Sequence, residues 1–142
     1  MYYSTKRFSG YSTCFRQWRA SHSHCQYLHG YAMEFVVTFD GPLDERNWVM
    51  DFGAFKSNGI KEHLSHIFDH TTIVAADDPK LDHFKLLEKQ GLIQLRILDH
   101  VGCEKFAEYV FRAIQERLTE TKSKILRVEC FENGNNSAIF ER

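Results

Sequence analysis

The chain has 142 residues, a length that suits one domain with a core of its own. Hydrophobic residues at 43% and charged residues at 26% match globular usage, which excludes a disordered or fibrous chain. Eighteen basic residues against nineteen acidic ones exclude a nucleic-acid arm and a polybasic membrane patch, and the unusual features are twelve Phe and eight His.

In chain order, Phe8 to about His22 reads as a strand that is polar on one side. The polar stretch Ser21–Tyr27 suits a hairpin loop, and Ala32–Asp40, rich in Phe and Val, reads as the returning strand. The segment Trp48–Phe52 enters a helix on which Phe55, Ile60, Leu64, Ile67 and Phe68 recur at helical spacing. Asp77-Asp78-Pro79 offers an N-cap for a short helix through Leu81, Phe84 and Leu87 that stops at Gly91. Leu92–Leu98 reads as a short strand. Gly102–Leu118 is the clearest helix, with Phe106, Ala107, Val110, Phe111, Ile114 and Leu118 on one face. Ile125–Glu132 alternates as a strand, Asn133-Gly134 signals a turn, and Ser137–Phe140 returns as the last strand. This order predicts an α+β fold, an antiparallel sheet backed by helices on one face.

No stretch approaches the roughly 20 apolar residues of a membrane span, and no secretory signal follows Met1. These readings predict a cytoplasmic protein. The four cysteines, Cys14, Cys25, Cys103 and Cys130, contain no CxxC and read as reduced thiols, with Cys14 and Cys130 as small core residues.

The segment richest in chemistry is Trp18–Tyr31, which holds His22, His24, Cys25, His29 and Tyr31 around the predicted hairpin. On a strand His29 and Tyr31 share a face, and His22 across the hairpin faces them. Such imidazoles suit Zn²⁺; they equally suit idle surface-loop histidines, and spacing does not choose. Asp69-His70 after the first helix is either an oriented general base or a helix end where a charged His meets the dipole. Glu129 and Glu132 are three apart, so on a regular strand they face opposite ways, and one is free to accept two parallel N–H bonds from a planar ligand. His63, His66, His83 and His100 read as surface or helix-end residues, and Asp51 as a helix cap.

Several segments in order resemble one family. Trp18-Arg-Ala-Ser-His22 with Cys25-Gln-Tyr-Leu-His29-Gly30-Tyr31 resembles F-x-A-A-H … C-x-x-x-H-G-H. Val49–Lys56 resembles V-x-D-F-x-x-L-K, and Phe68-Asp69-His70-Thr71 resembles L-D-H-x-x-L. Gly102–Ala107 is similar to P-T-x-E-N-x-A, and Glu132 with Ser137–Phe140 is similar to V-x-E … A-x-Y. The family is that of 6-pyruvoyltetrahydropterin synthase and 6-carboxytetrahydropterin synthase, and the Cys25–His29 spacing looks more like the 6-carboxy branch of 7-deazaguanine biosynthesis.

The resemblance implies a tunnelling fold with a four-stranded antiparallel sheet, closed into homo-oligomers, hexamers above all, with sites between subunits. It implies a zinc-dependent lyase acting on 7,8-dihydroneopterin triphosphate to give 6-carboxytetrahydropterin, acetaldehyde and triphosphate. His22, His29 and Tyr31 would hold Zn²⁺, with His24 as a substitute ligand. Cys25 would be the catalytic thiol, Asp69 and His70 its helpers, Glu132 the grip on the pterin ring and Glu104 a second contact. Tyr31 stands where the family pattern has histidine, and Gly102-Cys103 where it has Pro-Thr. Aligning Phe15 instead of Trp18 would put Arg19 at the first metal position. The alternatives are the 6-pyruvoyl reaction, another pterin side-chain enzyme such as an aldolase, or a pterin- or purine-binding module that has lost its metal.

Overall fold

The computed structural model describes residues 1–119 and 121–142. β1 (Tyr3–Phe15) and β2 (His29–Asp40) form a long antiparallel pair, with Tyr3 opposite Asp40 and Phe15 opposite His29. On β2 the alternate residues Met33, Phe35, Val37 and Phe39 are all buried. Ala32 and Glu34 point to the other, open face. On β1 the register shifts between Phe8 and Tyr11, where Gly10 takes a left-handed φ of 85°. This bulge lets Phe8 and Tyr11, which strict alternation would place on opposite faces, both join the core.

The sheet has six strands in the order β4-β3-β1-β2-β5-β6. β3 (Thr71–Ala75) runs parallel to β1, and β4 (Leu95–Leu98) runs parallel to β3. β5 (Lys124–Phe131) is antiparallel to β2, and β6 (Ser137–Glu141) is antiparallel to β5. The expectation of four antiparallel strands is therefore corrected to a mixed sheet of six. Thr71–Ala75 is buried along its whole length, so it lacks the alternation that marks a half-exposed strand. The first strand also starts earlier and stops sooner than the sequence reading, and residues 16–28 form a longer loop holding one 3-10 turn, His24–Gln26.

α1 (Ala54–Ser57), α2 (Ile60–Phe68) and α4 (Cys103–Arg117) bury their apolar residues in the core that they share with β1, β2 and β5. The single helix expected through Phe55 and Phe68 is broken, because Gly59 adopts a left-handed φ of 78° between α1 and α2. Phe106 on α4 packs edge-on against Phe15 (4.9 Å between ring centres) and Phe68 (5.4 Å), joining helix to sheet. α3 (Leu81–Lys89) closes a smaller cluster of Val74, Phe84 and Leu95. Asp78 is not the side-chain cap expected for α3. Lys80 occupies that position without a side-chain cap, and Asp78 is turned toward Arg16. Asp51 does prepare α1, its carboxylate accepting the Gly53 N–H at 2.9 Å. Among the described residues no helix is long and apolar enough to cross a membrane.

Candidate active site

Four chain segments meet at one end of the central strands: the end of β1, the start of β2, the end of β5 and the start of α4. Residues 16–28 close over that end. The Gln17 N–H donates to the Cys25 carbonyl at 2.8 Å, joining the two limbs of the loop. The Ser23 hydroxyl accepts the Cys25 N–H at 3.2 Å and caps the 3-10 turn. Arg16 grips Asp78 with two bonds of 2.8 and 2.6 Å, while Trp18 and Arg19 both donate to Asp77. A Cβ at Gly102, just before α4, would come within 3.3 Å of the Gln17 side-chain oxygen, so the bare glycine lets loop and helix approach.

Tyr31 sits at the centre of this meeting point. Its ring stacks on Phe15 with centres 4.3 Å apart and planes at 19°, and the His29 ring lies 4.5 Å away. The Tyr31 hydroxyl is buried and has no hydrogen-bond partner among the described residues. Burial, then the nearby charges of Glu132, Cys25, Cys103 and Cys14, push its pKa up to about 12, so it is a neutral phenol at physiological pH. The His29 Nδ1 lies 2.7 Å from the Tyr27 carbonyl, a bond in which the ring nitrogen donates and which leaves Nε2 as an acceptor. Cys130 is buried in the core as expected, and its contact with the Cys103 thiol, then burial, push the Cys130 thiol up. Cys14 is only half-buried, opposite Gly30 on β2 and Thr72 on β3.

A cleft of about 660 Å³ opens here, lined among others by Arg7, His29, Tyr31, Glu34, Glu132 and Asn133. That volume suits a fused-ring ligand. Glu132 is half-buried just past the end of β5, and its own N–H donates to the Asn136 carbonyl across the turn at 3.1 Å. Its partner in the sequence reading, Glu129, accepts the Ser137 hydroxyl at 3.1 Å. Glu104 is exposed in the first turn of α4.

Asp69 and His70 form a second constellation. The Asp69 carboxylate lies 3.0 Å from the His70 Nδ1 and accepts the Ser12 N–H at 3.1 Å. The Ser12 N–H above all, helped by the His70 ring, outweighs the opposing effect of burial and holds the Asp69 carboxyl below the usual range. His70 has a left-handed φ of 56°, and its own N–H donates to the Ser12 carbonyl at 2.7 Å. The imidazole is left largely exposed on a separate groove beside Ser12, Cys14, Gly30 and Gln94. Tyr31, Thr13 and Thr71 stand in one row across β2, β1 and β3. Two strand spacings of roughly 4.8 Å therefore separate Tyr31 from the residue after His70. Within one chain, His70 lines one groove and Tyr31 and Glu132 line another; the two grooves share Gly30, and Cys25 sits in the 3-10 turn of the loop.

The metal donors do not assemble in the same way. His22 and His24 are exposed in the loop, with the His24 ring edge-on to Tyr27. Among the described residues no three His, Cys, Asp or Glu side chains are gathered to hold a metal ion, so His22, His24 and His29 do not converge. One free imidazole nitrogen beside a neutral phenol is short of the three protein ligands a catalytic zinc takes. The residues of one chain thus do not fit a resident Zn²⁺.

Comparison with known proteins settles what this architecture is. The profile of the 6-pyruvoyl tetrahydropterin synthase family matches residues 4–142. The chain belongs to that family. A similar solved structure is that of an uncharacterized protein from Wolinella succinogenes, at 20% identity and a TM-score of 0.84, covering 99% of this chain and 98% of that one. The 6-pyruvoyl tetrahydropterin synthase of Plasmodium vivax is similar at 14% identity and 0.68, covering 100% and 99%. That of Caenorhabditis elegans gives 17% identity and 0.66, covering 100% and 97%. At these identities the likeness shows the fold. A search of curated proteins gave no match.

The structure also shows what the sequence reading overlooked: the Arg16–Asp78 anchor of the loop and the Tyr31 hydroxyl without a partner among the described residues. Asp-Asp-Pro hinted at the anchor, but Arg16 lies 62 positions away and nothing local links the two.

Proposed function

We propose that this chain, as one domain spanning residues 1–142, is a pterin side-chain lyase. The reading is carried by Glu132, half-buried in the 660 Å³ cleft that it shares with Tyr31, whose hydroxyl feels the nearby Cys25. A carboxylate so placed accepts two parallel N–H bonds from the amino-pyrimidine edge of a pterin. The ring then lies near the Cys25 thiol, which as thiolate takes a proton from the side chain. His70, steered by Asp69, exchanges protons with the departing oxygen. Glu104 is a second contact in this reading.

The spacing of Cys25 and His29 favours the 6-carboxy branch, so the reaction is carbon–carbon cleavage of 7,8-dihydroneopterin triphosphate to 6-carboxytetrahydropterin, acetaldehyde and triphosphate. A place in 7-deazaguanine biosynthesis and a cytoplasmic location go with that product. The neighbouring but separate grooves of Glu132 and His70 support a homo-oligomer, a hexamer in this reading, in which one subunit supplies Cys25 and Glu132 and the next supplies Asp69 and His70. Zn²⁺ on His22, His29 and Tyr31 or His24 is what the resemblance adds, but the donor set falls short of it and no step above runs through a metal.

The test is to incubate the purified protein with 7,8-dihydroneopterin triphosphate and resolve products by chromatography and mass. The expected products are 6-carboxytetrahydropterin and acetaldehyde. A 6-pyruvoyl product would move the chain to the sister reaction. Tight binding without turnover would make it a binding module, and neither binding nor turnover would sink the pterin reading.

A further inference from the structure

We propose that this site takes its ring ligand without a resident metal, and that Tyr31 donates its free phenol O–H to the bound molecule in the place where the family pattern has a histidine. The inference rests on the pterin reading above and concerns how the site completes itself. A buried donor without an acceptor is costly, because it has given up water and gained nothing. Tyr31 carries such a donor: its hydroxyl is buried and without a partner among the described residues, and Tyr31 is one of the residues that line the cleft holding Glu132. The stack on Phe15 keeps the ring from turning the hydroxyl out to solvent. An acceptor arriving through that cleft relieves the defect, and a pterin side chain carries oxygens that accept hydrogen bonds.

The metal alternative fails on the chemistry of the donors. A phenol donates or accepts one hydrogen bond but binds a metal strongly only as phenolate. His29 offers one nitrogen, since its other is committed to the Tyr27 carbonyl. Among the described residues no three His, Cys, Asp or Glu side chains gather around them. Glu132 and Tyr31 then divide the work. The carboxylate accepts from the donor edge of the ring, and the phenol donates to an acceptor on its side chain. This pairing selects a molecule with donors at one end and an oxygen at the other.

The full chain is exposed to zinc chloride, desalted, and its metal content measured by plasma mass spectrometry. Binding of 7,8-dihydroneopterin is then measured by fluorescence with and without EDTA, for the wild type and Tyr31→Phe. The expected results are substoichiometric zinc, binding unchanged by the chelator, and binding weakened about five- to tenfold in Tyr31→Phe. The variant keeps the aromatic stack and loses only the unpartnered hydroxyl, so its thermal midpoint should hold or rise, which separates the loss from misfolding. Stoichiometric zinc, binding that needs zinc, or equal binding by Tyr31→Phe would overturn the inference and leave the pterin reading standing. Failure of the wild type to bind 7,8-dihydroneopterin under any of these conditions would overturn both.

Discussion

Replacing Arg16 with Met removes the guanidinium that anchors the site loop and leaves the rest of the loop's sequence intact. Asp78 is 1% exposed at its side chain and Arg16 22%, so the pair is buried at its acidic end. The two bonds of 2.8 and 2.6 Å vanish in the variant, and the carboxylate keeps only the Lys80 N–H at 2.8 Å. Breaking a buried pair from one side costs about 3–5 kcal/mol; access of water to the vacated guanidinium position lowers this to about 2–3 kcal/mol. Burial alone would raise the Asp78 carboxyl, but the Arg16 bonds and the Lys80 N–H outweigh it and hold the carboxyl below its ordinary value. A depressed folded-state pKa gives stability that is present above the unfolded value of about 4 and lost as pH falls through the folded value. Urea unfolding followed by tryptophan fluorescence should therefore show the full difference between wild type and Arg16→Met at pH 7. The difference should shrink below about pH 4, as Asp78 takes up its proton. Adding Asp78→Asn to Arg16→Met should restore part of the loss, because the stranded charge is gone. A loss under about 1 kcal/mol at pH 7, or one equally large in acid, would refute the reasoning.

Other predictions bear on the site. Glu132→Gln replaces an acceptor pair with one acceptor and one donor, so 7,8-dihydroneopterin binding should weaken by about 1.5–3 kcal/mol, measured by titration, with little change in thermal midpoint. Cys25→Ala and His70→Ala should each abolish turnover, and dissociating and reassembling the two inactive proteins together should restore part of it if sites are shared between subunits. Continued inactivity of the well-mixed protein would place each site within one chain. Gly102→Ala places a Cβ 3.3 Å from the Gln17 oxygen at a φ of 112°, which L residues rarely adopt, and should cost about 1–3 kcal/mol in urea while displacing the loop.

How far the sequence could be read depended on which physical signal each element carries. α4 was legible almost to its ends because its six buried residues repeat at helical spacing on a solvent-facing helix. β2, β5 and β6 were legible as half-exposed or apolar strands. β3 escaped because a strand buried on both faces does not alternate, and because Thr71-Thr72 follow the Asp-His pair that drew a chemical reading. β1 was blurred by the bulge at Gly10, which shifts the inward positions from Phe8 to Tyr11. The family resemblance named the candidate site residues one by one, but it did not give their grouping in this chain. Tyr31 and Glu132 meet because β2 and β5 are paired, while Asp69–His70 is set apart by the intervening β1. His22 could face His29 only across a short hairpin, and His24 entered as a substitute ligand through the resemblance. The loop proved longer and carries them outward.

The central claim is that Glu132 holds a pterin ring in the cleft beside Tyr31. A crystal structure of the protein soaked with 7,8-dihydroneopterin tests it most directly. The account predicts the amino-pyrimidine edge within hydrogen-bond distance of both Glu132 carboxylate oxygens and a side-chain oxygen of the ligand facing the Tyr31 hydroxyl. A ring bound elsewhere, or one that leaves Glu132 without a contact, would contradict it.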